Sequence, residues 1–347
     1  MRKYDYINAL LSILVALVIG GIVVAFMGHN PMEAFVQLFN GAFIGKFNFG
    51  TTLEKFVPLL LAGLAFAVSS KISVFNVGVE GQLYLGAMAT AWVGFTFSNL
   101  SKVVHVPLAL LAGMLAGALF ALIPAVLKVY FRVNEVLTTM LLNYVAQFLT
   151  SYLVNYPFSG GTGVAQSPPI YESATLSRIL LPSRANTGLF IALGVLAIVY
   201  WLFYRTTVGY KLRSVGLNPD FTDYIGVNSK KVILAGMMLS GAIGGLAGAI
   251  EVMGIHLSFL DNFSSGIGFD GMLAALIARN NFGMVAIISF FIASLKSGAL
   301  AMERYTGVPK SLIDAIIAVF ILFATMEGLF QLRRRAKKEK EVDEHVG

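Results

Sequence analysis

Apolar segments of bilayer length dominate this sequence and restrict its fold more than any other feature does. Ile7–Met27 contains 21 residues and no charged side chain. Because an α-helix rises about 1.5 Å per residue, this run reaches across roughly 30 Å, the thickness of a bilayer core. Charged residues make up 12% of the 347 positions, whereas a soluble domain carries about 25%. The sequence therefore predicts a polytopic membrane protein.

The first apolar run is expected to remain in the mature protein as a membrane helix. Arg2 and Lys3 provide the basic start of a signal peptide, but the run is longer than a signal-peptide core and no small-x-small cleavage pattern follows Met27. The chain contains no cysteine, which excludes disulfides, thiol chemistry and cysteine metal sites. No other metal site is expected either, because the four histidines share no ligand spacing. These are His29, His105, His256 and His345.

Ten membrane helices are predicted from the apolar pattern. The short eighth segment, 268–280, has the length of a half-helix or a re-entrant turn. When both termini are placed in the cytoplasm, 17 of the 25 lysine and arginine residues fall on the cytoplasmic side, as the positive-inside rule requires. The predicted fold is thus an all-α polytopic membrane bundle with one broken or re-entrant segment. The predicted spans are 7–27, 53–72, 82–98, 106–131, 136–156, 187–204, 231–251, 268–280, 281–302 and 308–330.

The chain is expected to form one transmembrane domain, 1–332, followed by a charged cytoplasmic tail, 333–347. Two predicted external loops are long. Loop 28–52 is mildly amphipathic and suited to the membrane surface, whereas loop 157–186 is rich in proline and glycine and therefore irregular but locally rigid. The second loop is either a plain connector or a surface for an extracellular partner. The net charge of +7 collects at helix ends and in the tail, where it favours membrane lipid over nucleic acid as a partner.

Polar residues interrupt the apolar pattern between the second and third predicted helices. The sequence from Phe75 to Gln82 reads FNVGVEGQ and combines two glycines with Asn76, Glu80 and Gln82. Freed backbone groups are tolerated inside a membrane only where protein or water satisfies them, and transporters place such broken helices beside the solute pathway. The segment is therefore either a broken helix at a pathway or a cytoplasmic turn in which Asn76 and Glu80 act as caps.

A second polar pattern occupies the fifth predicted helix. Glu135, Thr139, Asn143 and Gln147 recur every four residues and share one helix face. Such a face either bonds to neighbouring helices or lines a pathway. Acidic residues elsewhere, including Glu251, are placed near helix ends that water reaches, so proton coupling is not indicated. The pathway candidates are Phe75, Asn76, Glu80, Gln82, Thr139, Asn143 and Gln147.

The loop 205–231 is a long, basic, polar segment between two apolar helices and is predicted to be cytoplasmic. The sequence contains no GxxxxGK[ST] phosphate-binding loop, so an energised transport role requires a separate ATPase. Gly216 is expected to allow a tight turn, after which Asn218 and Pro219 begin a short helix. Asp220 lies in its first turn, where the helix dipole favours negative charge. The predicted ATPase-docking residues are Gly216, Leu217, Asn218, Pro219, Asp220, Tyr224 and Gly226.

Several of these segments resemble permease subunits of the ABC importers for simple sugars and nucleosides, in the branch served by basic-membrane-lipoprotein-type binding proteins. The similarity extends over roughly residues 30–330 and is greatest toward the larger permeases of purine nucleoside (guanosine-type) uptake systems. One departure is Asp220-Phe221-Thr222, where relatives often carry small residues. The segments that carry the resemblance are FNVGVEGQ at 75–82, NEVLTTMLLNY at 134–144, VGLNP at 215–219 with YIG at 224–226, and ARN at 278–280.

The resemblance implies a heteromeric importer in a bacterial cell membrane. It implies two related permeases, an ATP-binding subunit that is often a tandem fusion of two ATPase domains, and an extracellular solute-binding lipoprotein. The chain itself is then no enzyme and holds no cofactor, because ATP is used by the partner subunit. A purine nucleoside such as guanosine is the implied substrate, and a ribose-like simple sugar is the alternative. A self-sufficient secondary carrier is a further alternative. A membrane enzyme is not supported, because the sequence contains no nucleophile, acid–base pair or metal site typical of catalysis.

Overall fold

The computed structural model describes residues 18–161 and 163–316, and these residues are mainly helical. The β-pairing among them is limited to two isolated bridges. The all-helical prediction is therefore confirmed for the described part of the chain. Its α-helices, apart from helical residues at 18–26 and 311–316, are α1 (Pro31–Phe43), α2 (Lys46–Ser70), α3 (Val79–Thr96), α4 (Lys102–Phe131), α5 (Glu135–Asn155), α6 (Gly188–Arg205), α7 (Thr207–Leu217), α8 (Pro219–Tyr224), α9 (Ser229–Glu251), α10 (Ile267–Ile277) and α11 (Phe282–Thr306).

Several of these helices have the length and apolar composition to cross a membrane. They are α2, α4, α6, α11, and α9 together with the π-helical turn Val252–His256 that continues it. The apolar helix α10 contains 11 residues and extends about 16 Å, half of a bilayer core, which fits the half-helix predicted for 268–280. The less apolar α3 and α5 occupy the predicted segments 82–98 and 136–156.

Some predictions fall on residues that the structure does not describe. The predicted span 7–27 lies outside the described residues up to position 17, and 308–330 lies outside them beyond position 316. The tail 333–347 lies wholly outside them. The number of ten spans and the cytoplasmic termini therefore stay predictions.

The segment 28–52 was predicted as a loop, but helices occupy most of it, whereas its external position at the membrane surface stays a prediction. Asn30 accepts a hydrogen bond from the backbone nitrogen of Met32 (3.0 Å) and so caps α1, with a proline at the first helical position. The next helix, α2, already begins at Lys46 rather than at residue 53. The local sequence contains this cap, but the apolar pattern used to predict membrane spans does not detect it.

The described residues divide into two compact units, residues 18–48 with 294–316, and residues 49–293. In the first unit, α1 packs closely against the end of α11, where a side chain on Gly41 would overlap the Ala301 methyl group. The second unit contains all the predicted pathway and docking residues.

The core of the second unit is a close packing of α3, α4 and α9 through glycines. A side chain added at Gly86, Gly117 or Gly241 would overlap backbone atoms of a facing helix, and one at Gly113 would lie 2.5 Å from the Thr90 hydroxyl. Within lipid, such close approach provides the dispersion contacts that hold helices together. The small residues of this region therefore build a packed helix interface.

The segment 157–186 is irregular, as predicted, and backbone hydrogen bonds attach it to the chain that follows α9. Ser167 N donates to the carbonyl oxygen of Phe259 (2.9 Å), and Ile170 N donates to that of Leu257 (2.9 Å). These bonds make the segment an ordered connector. Its role toward an extracellular partner stays a prediction.

Candidate functional site

The segment 71–78 interrupts the helical path between α2 and α3. At its end, Val77 N donates to the Thr139 hydroxyl (3.2 Å), and Gly81 N donates to the side-chain oxygen of Asn143 (2.8 Å). The side-chain nitrogen of Asn143 donates back to the Val77 carbonyl (3.0 Å). Because Asn143 lies about 12 Å from the start of α5, the interruption reaches well into the bundle. This depth favours a broken helix over a turn at the membrane edge.

Asn76 is the centre of a buried network at this break. Its side-chain nitrogen donates to the Ser240 hydroxyl of α9 (2.9 Å) and to the side-chain oxygen of Gln82 (3.2 Å). The Gln82 nitrogen donates to the Asn76 oxygen (3.2 Å), which also accepts from Gly78 N (3.0 Å). The Ser240 hydroxyl donates to the backbone oxygen of Ala65 (2.7 Å). The network thereby joins α2, α3 and α9.

Glu80 connects the break to the half-helix α10. Its carboxylate accepts hydrogen bonds from the Ser264 hydroxyl (2.6 Å) and from Gly268 N (2.5 Å), in the first turn of α10. A carboxylate in this position satisfies free N–H groups of the helix and is favoured by the helix dipole. One turn along α3, the Tyr84 hydroxyl donates to the Ser264 backbone oxygen (3.0 Å). The broken helix and the half-helix α10 therefore meet at the buried carboxylate of Glu80.

The structure brings together most of the predicted pathway residues, because all except Phe75 and Gln147 belong to these bonds around the break. Phe75 instead packs edge-on against Phe66, with ring centroids 4.9 Å apart. In this conformation the polar side chains bond to protein groups. Their exposure to a solute pathway during transport stays a prediction.

Two features of the site escaped the sequence reasoning. Ser264 was not predicted, because its bond to Glu80 joins residues 184 positions apart and no local pattern marks it. The expectation that water reaches Glu251 is wrong: its side chain is buried, and one carboxylate oxygen lies 3.3 Å from His256 Nε2 across the π-helical turn.

The predicted short helix in loop 205–231 is confirmed as α8, which α7 precedes. The Asn218 side chain accepts from Phe221 N (2.9 Å) and caps α8, whose first residue is Pro219. Asp220 lies in the first turn, as expected. These contacts are local, which is why the sequence alone could predict them.

The helix α8 presents an apolar outer surface next to a buried anchor. Within α8, Tyr224 is 89% exposed and Phe221 is 59% exposed, and Leu217, the last residue of α7, is also 89% exposed. On the inner side, Thr222 is buried and its hydroxyl donates to the backbone oxygen of Asn218 (2.7 Å). Phe221 was not predicted as a docking residue, although it belongs to the segment Asp220-Phe221-Thr222, which differs from the small residues that relatives often carry there. Exposed apolar groups on a polar loop are typical of a protein-binding surface.

The structure gives Gly216 a different role from the tight turn that was expected. Gly216 is helical and lies in α7, and a side chain there would overlap the carbonyl oxygen of Lys71, just after α2. The Ser73 hydroxyl donates to the Gly216 carbonyl (2.5 Å). The chain changes direction before α8 at Asn218 instead, whose backbone is extended (φ −157°, ψ 104°), and Gly226, with a φ of +85°, forms a separate turn after α8. Gly216 therefore permits close contact between α7 and the break.

The break also contacts the start of α5. Lys128 Nζ donates to the backbone oxygen of Ser73 (3.3 Å) and forms an ion pair with Glu135, the first residue of α5. The segment 71–78 thus contacts α7 on one side and the ends of α4 and α5 on the other. These contacts form a continuous connection from α7 through the segment 71–78 to the polar face of α5.

Comparison with known proteins agrees with these features. Residues 48–325 match the family described as branched-chain amino acid transport system / permease component. The chain is 35% identical to the guanosine ABC transporter permease protein NupP of Bacillus subtilis, over 90% of this chain and 91% of that protein. It is 35% identical to the glucose ABC transporter permease protein TsgB13 of Haloferax volcanii, over 95% of this chain and 89% of that protein. It is 29% identical to the guanosine ABC transporter permease protein NupQ of Bacillus subtilis, over 66% of this chain and 74% of that protein.

The family match covers most of the chain and includes the whole described part of the second unit. Together with several apolar helices of bilayer length, it identifies a multi-pass membrane protein. The chain belongs to the family of branched-chain amino acid transport system permease components.

Proposed function

We propose that this chain is the membrane-spanning permease subunit of an ATP-driven ABC importer that carries purine nucleosides, such as guanosine, into a bacterial cell. The observation that carries the proposal is α8, a capped helix with an exposed apolar surface that is connected through α7 to the broken helix. The ABC permease relatives support the transporter class, and the two guanosine permeases among them support the substrate.

The importer needs partners that this chain does not replace. A separate ATP-binding subunit, with tandem ATPase domains, docks on Gly216–Gly226 and hydrolyses ATP, so the permease itself holds no cofactor. A second, related permease completes the membrane part. NupP and NupQ are guanosine permeases of one bacterium, and this chain is similar to both, which supports such a pair. An extracellular lipoprotein delivers the solute.

The contacts at the break provide a route for the force. A push on α8 moves α7, whose Gly216 carbonyl is bonded to Ser73. The break then shifts relative to Thr139 and Asn143, whose bonds to it must rearrange. The polar groups released in this way are available to the moving solute, and this rearrangement is how the proposed pathway residues act.

The proposed membrane topology is consistent with an ATPase that docks on loop 205–231. Ten spans with both termini in the cytoplasm place loop 205–231 on the side where ATP is available, and the tail 333–347 lies next to the inner lipid surface. The external segment 157–186 then faces the solute-binding lipoprotein.

A simple sugar is the second candidate substrate. The glucose permease TsgB13 is as similar to this chain as the guanosine permease NupP is, each at 35% identity. Guanosine is preferred because NupP and NupQ are both guanosine permeases. Competition between labelled guanosine and unlabelled glucose or ribose separates the two candidates.

The docking assignment is tested with Tyr224→Ala in the complete importer, reconstituted in liposomes with its ATPase, second permease and lipoprotein. Tyr200→Ala is the matched control, since Tyr200 is an exposed tyrosine on α6. We expect Tyr224→Ala to leave the subunits in the membrane while guanosine accumulated per ATP falls, and the control to behave as wild type. An unchanged ratio would argue against the docking surface. Accumulation by this chain alone, driven by an ion gradient, would indicate a secondary carrier instead.

A further inference from the structure

Two positively charged side chains lie where α7 packs against the end of α2, beside the docking residues Gly216–Gly226. Lys71 follows the last residue of α2, and its carbonyl oxygen occupies the place that a side chain on Gly216 would need. Arg213 lies three residues before Gly216 in α7, and residues three apart are neighbours on a helix surface. We call Lys71 and Arg213 the cation pair.

The cation pair has no acidic partner in the part of the chain that the structure describes. Neither Lys71 nor Arg213 forms an ion pair there, whereas Lys128, which also contacts the break, is paired with Glu135. Burial, and with it the positive charge of Arg213, lowers the pKa of the Lys71 ammonium group. Like charges oppose each other, so a negative group placed between these two side chains would be attracted by both.

The acidic residues of loop 205–231 do not provide this negative group. The Asp223 carboxylate accepts hydrogen bonds from the backbone nitrogen (2.7 Å) and the hydroxyl (2.6 Å) of Ser229. Asp220 lies in the first turn of α8, where the helix dipole favours it. The loop contains five basic residues besides these two acids, so its surface is complementary to an acidic partner.

The Arg213 guanidinium is oriented by an aromatic ring. Its central carbon lies 5.5 Å from the centroid of the Tyr204 ring, and that ring packs against Phe282 with centroids 6.0 Å apart. The Arg213 Nε atom is buried and has no hydrogen-bond partner among the described residues. A guanidinium stacked on a ring directs its N–H groups in one plane, which matches the two oxygens of a carboxylate. Because Arg213 and Lys71 are both partly exposed, another protein can reach them.

We propose that the cation pair binds a carboxylate side chain of the ATP-binding subunit, next to the apolar contact made by α8. The inference rests on the proposed function and identifies the chemistry of one contact that the ATPase makes. Protein interfaces commonly combine an apolar centre with charged groups at the rim, and the rim charges guide association. The apolar centre here is formed by Phe221 and Tyr224.

An anionic lipid headgroup is the other source of negative charge at this membrane surface. Lys211 and Lys231, in the same loop, are fully open and are suited to lipid. The cation pair differs from them because it is partly covered where α7 meets the end of α2. The Ser73 hydroxyl also donates to the Gly216 carbonyl, so a protein bound at the pair would contact the start of the broken helix. This position favours a carboxylate of the ATPase.

The test measures the affinity of the purified ATP-binding subunit for the assembled permeases in detergent that contains no anionic lipid. Lys71→Gln removes one charge of the pair, and Lys211→Gln is the matched control, because Lys211 is an exposed lysine on α7. We expect Lys71→Gln to raise Kd about tenfold, while Lys71→Arg and the control bind as wild type. The unfolding temperature of the permease alone should not fall in Lys71→Gln, because the repulsion from Arg213 is removed.

Cross-linking by a carbodiimide, which joins an amine directly to a carboxylate, identifies the bound group in the same complex. A cross-link from Lys71 to an acidic residue of the ATP-binding subunit, together with the weaker binding of Lys71→Gln, supports the proposal. Wild-type affinity of Lys71→Gln, equal weakening in the control, or an effect that requires anionic lipid overturns it. The absence of this cross-link, or its replacement by one to the tail 333–347, overturns it as well. A wild-type permease that binds no ATP-binding subunit refutes the proposed function itself, before any variant is compared.

Discussion

The two hydrogen bonds of Asn143 give the most direct test of the broken helix. In Asn143→Leu, a side chain of similar size replaces the amide but can neither accept from Gly81 N nor donate to the Val77 carbonyl. Both backbone groups are then left without this partner inside the bundle. We expect the variant to be less stable than wild type and the break to lose its fixed position against α5.

The size of the effect follows from the burial of the two groups. A buried backbone group left unsatisfied costs about 1–3 kcal/mol, so the pair costs about 2–6 kcal/mol. In membrane proteins, individual side-chain bonds average about 0.6 kcal/mol, because freed groups find other partners. Such rescue is limited here, since a Cβ on Gly81 would already lie 3.1 Å from the Ala146 methyl group and water has little room. We therefore expect a loss of about 2–4 kcal/mol.

The assay is reversible unfolding of the purified permease in mixed micelles, followed by circular dichroism as the fraction of denaturing detergent rises. Leu141→Ala is the control, because Leu141 is an exposed neighbour on α5 and should change the unfolding free energy little. A loss below about 0.5 kcal/mol for Asn143→Leu would refute the reasoning. It would mean that the amide already faces water and does not hold the break.

Two further predictions concern the docking region. Gly216→Ala places a methyl group against the Lys71 carbonyl, so the unfolding temperature should fall and uptake per ATP should decrease; Gly194→Ala on α6, where a methyl group meets open space, should leave both unchanged or raise the unfolding temperature. Equal behaviour of the two variants would contradict the close contact. Hydrogen bonds from the Ser229 hydroxyl and backbone nitrogen hold the pKa of the Asp223 carboxyl below its usual range. This stabilisation is present above the unfolded pKa of about 3.9 and is lost as pH falls through the folded pKa. The difference in unfolding temperature between wild type and Asp223→Ala should therefore be seen at neutral pH and shrink below about pH 4; a difference that does not depend on pH would show that the carboxylate charge is not involved.

Local chemistry made some elements predictable from the chain alone. The bilayer-length apolar runs predicted the membrane helices, because their stability depends mainly on their own composition. The short helix α8 was predicted correctly, because Asn218 caps a backbone group only three residues away. The same kind of cap at Asn30 was present but overlooked, which is why α1 was missed. The apolar pattern and the cap pattern indicate helices independently of each other.

Long-range contacts determined the rest. The polar character of Asn76 and Asn143 was visible in the sequence, but Asn76 meets Ser240 at a distance of 164 positions and Glu80 meets Gly268 at 188. No local pattern specifies such partners, because they arise only when separate helices pack. Gly216 shows the same limit: as a residue it indicated a turn, yet its neighbours make it a contact point between helices. Short-range bonding thus fixes which segments become helices, whereas the packing of distant helices decides which polar groups are buried together.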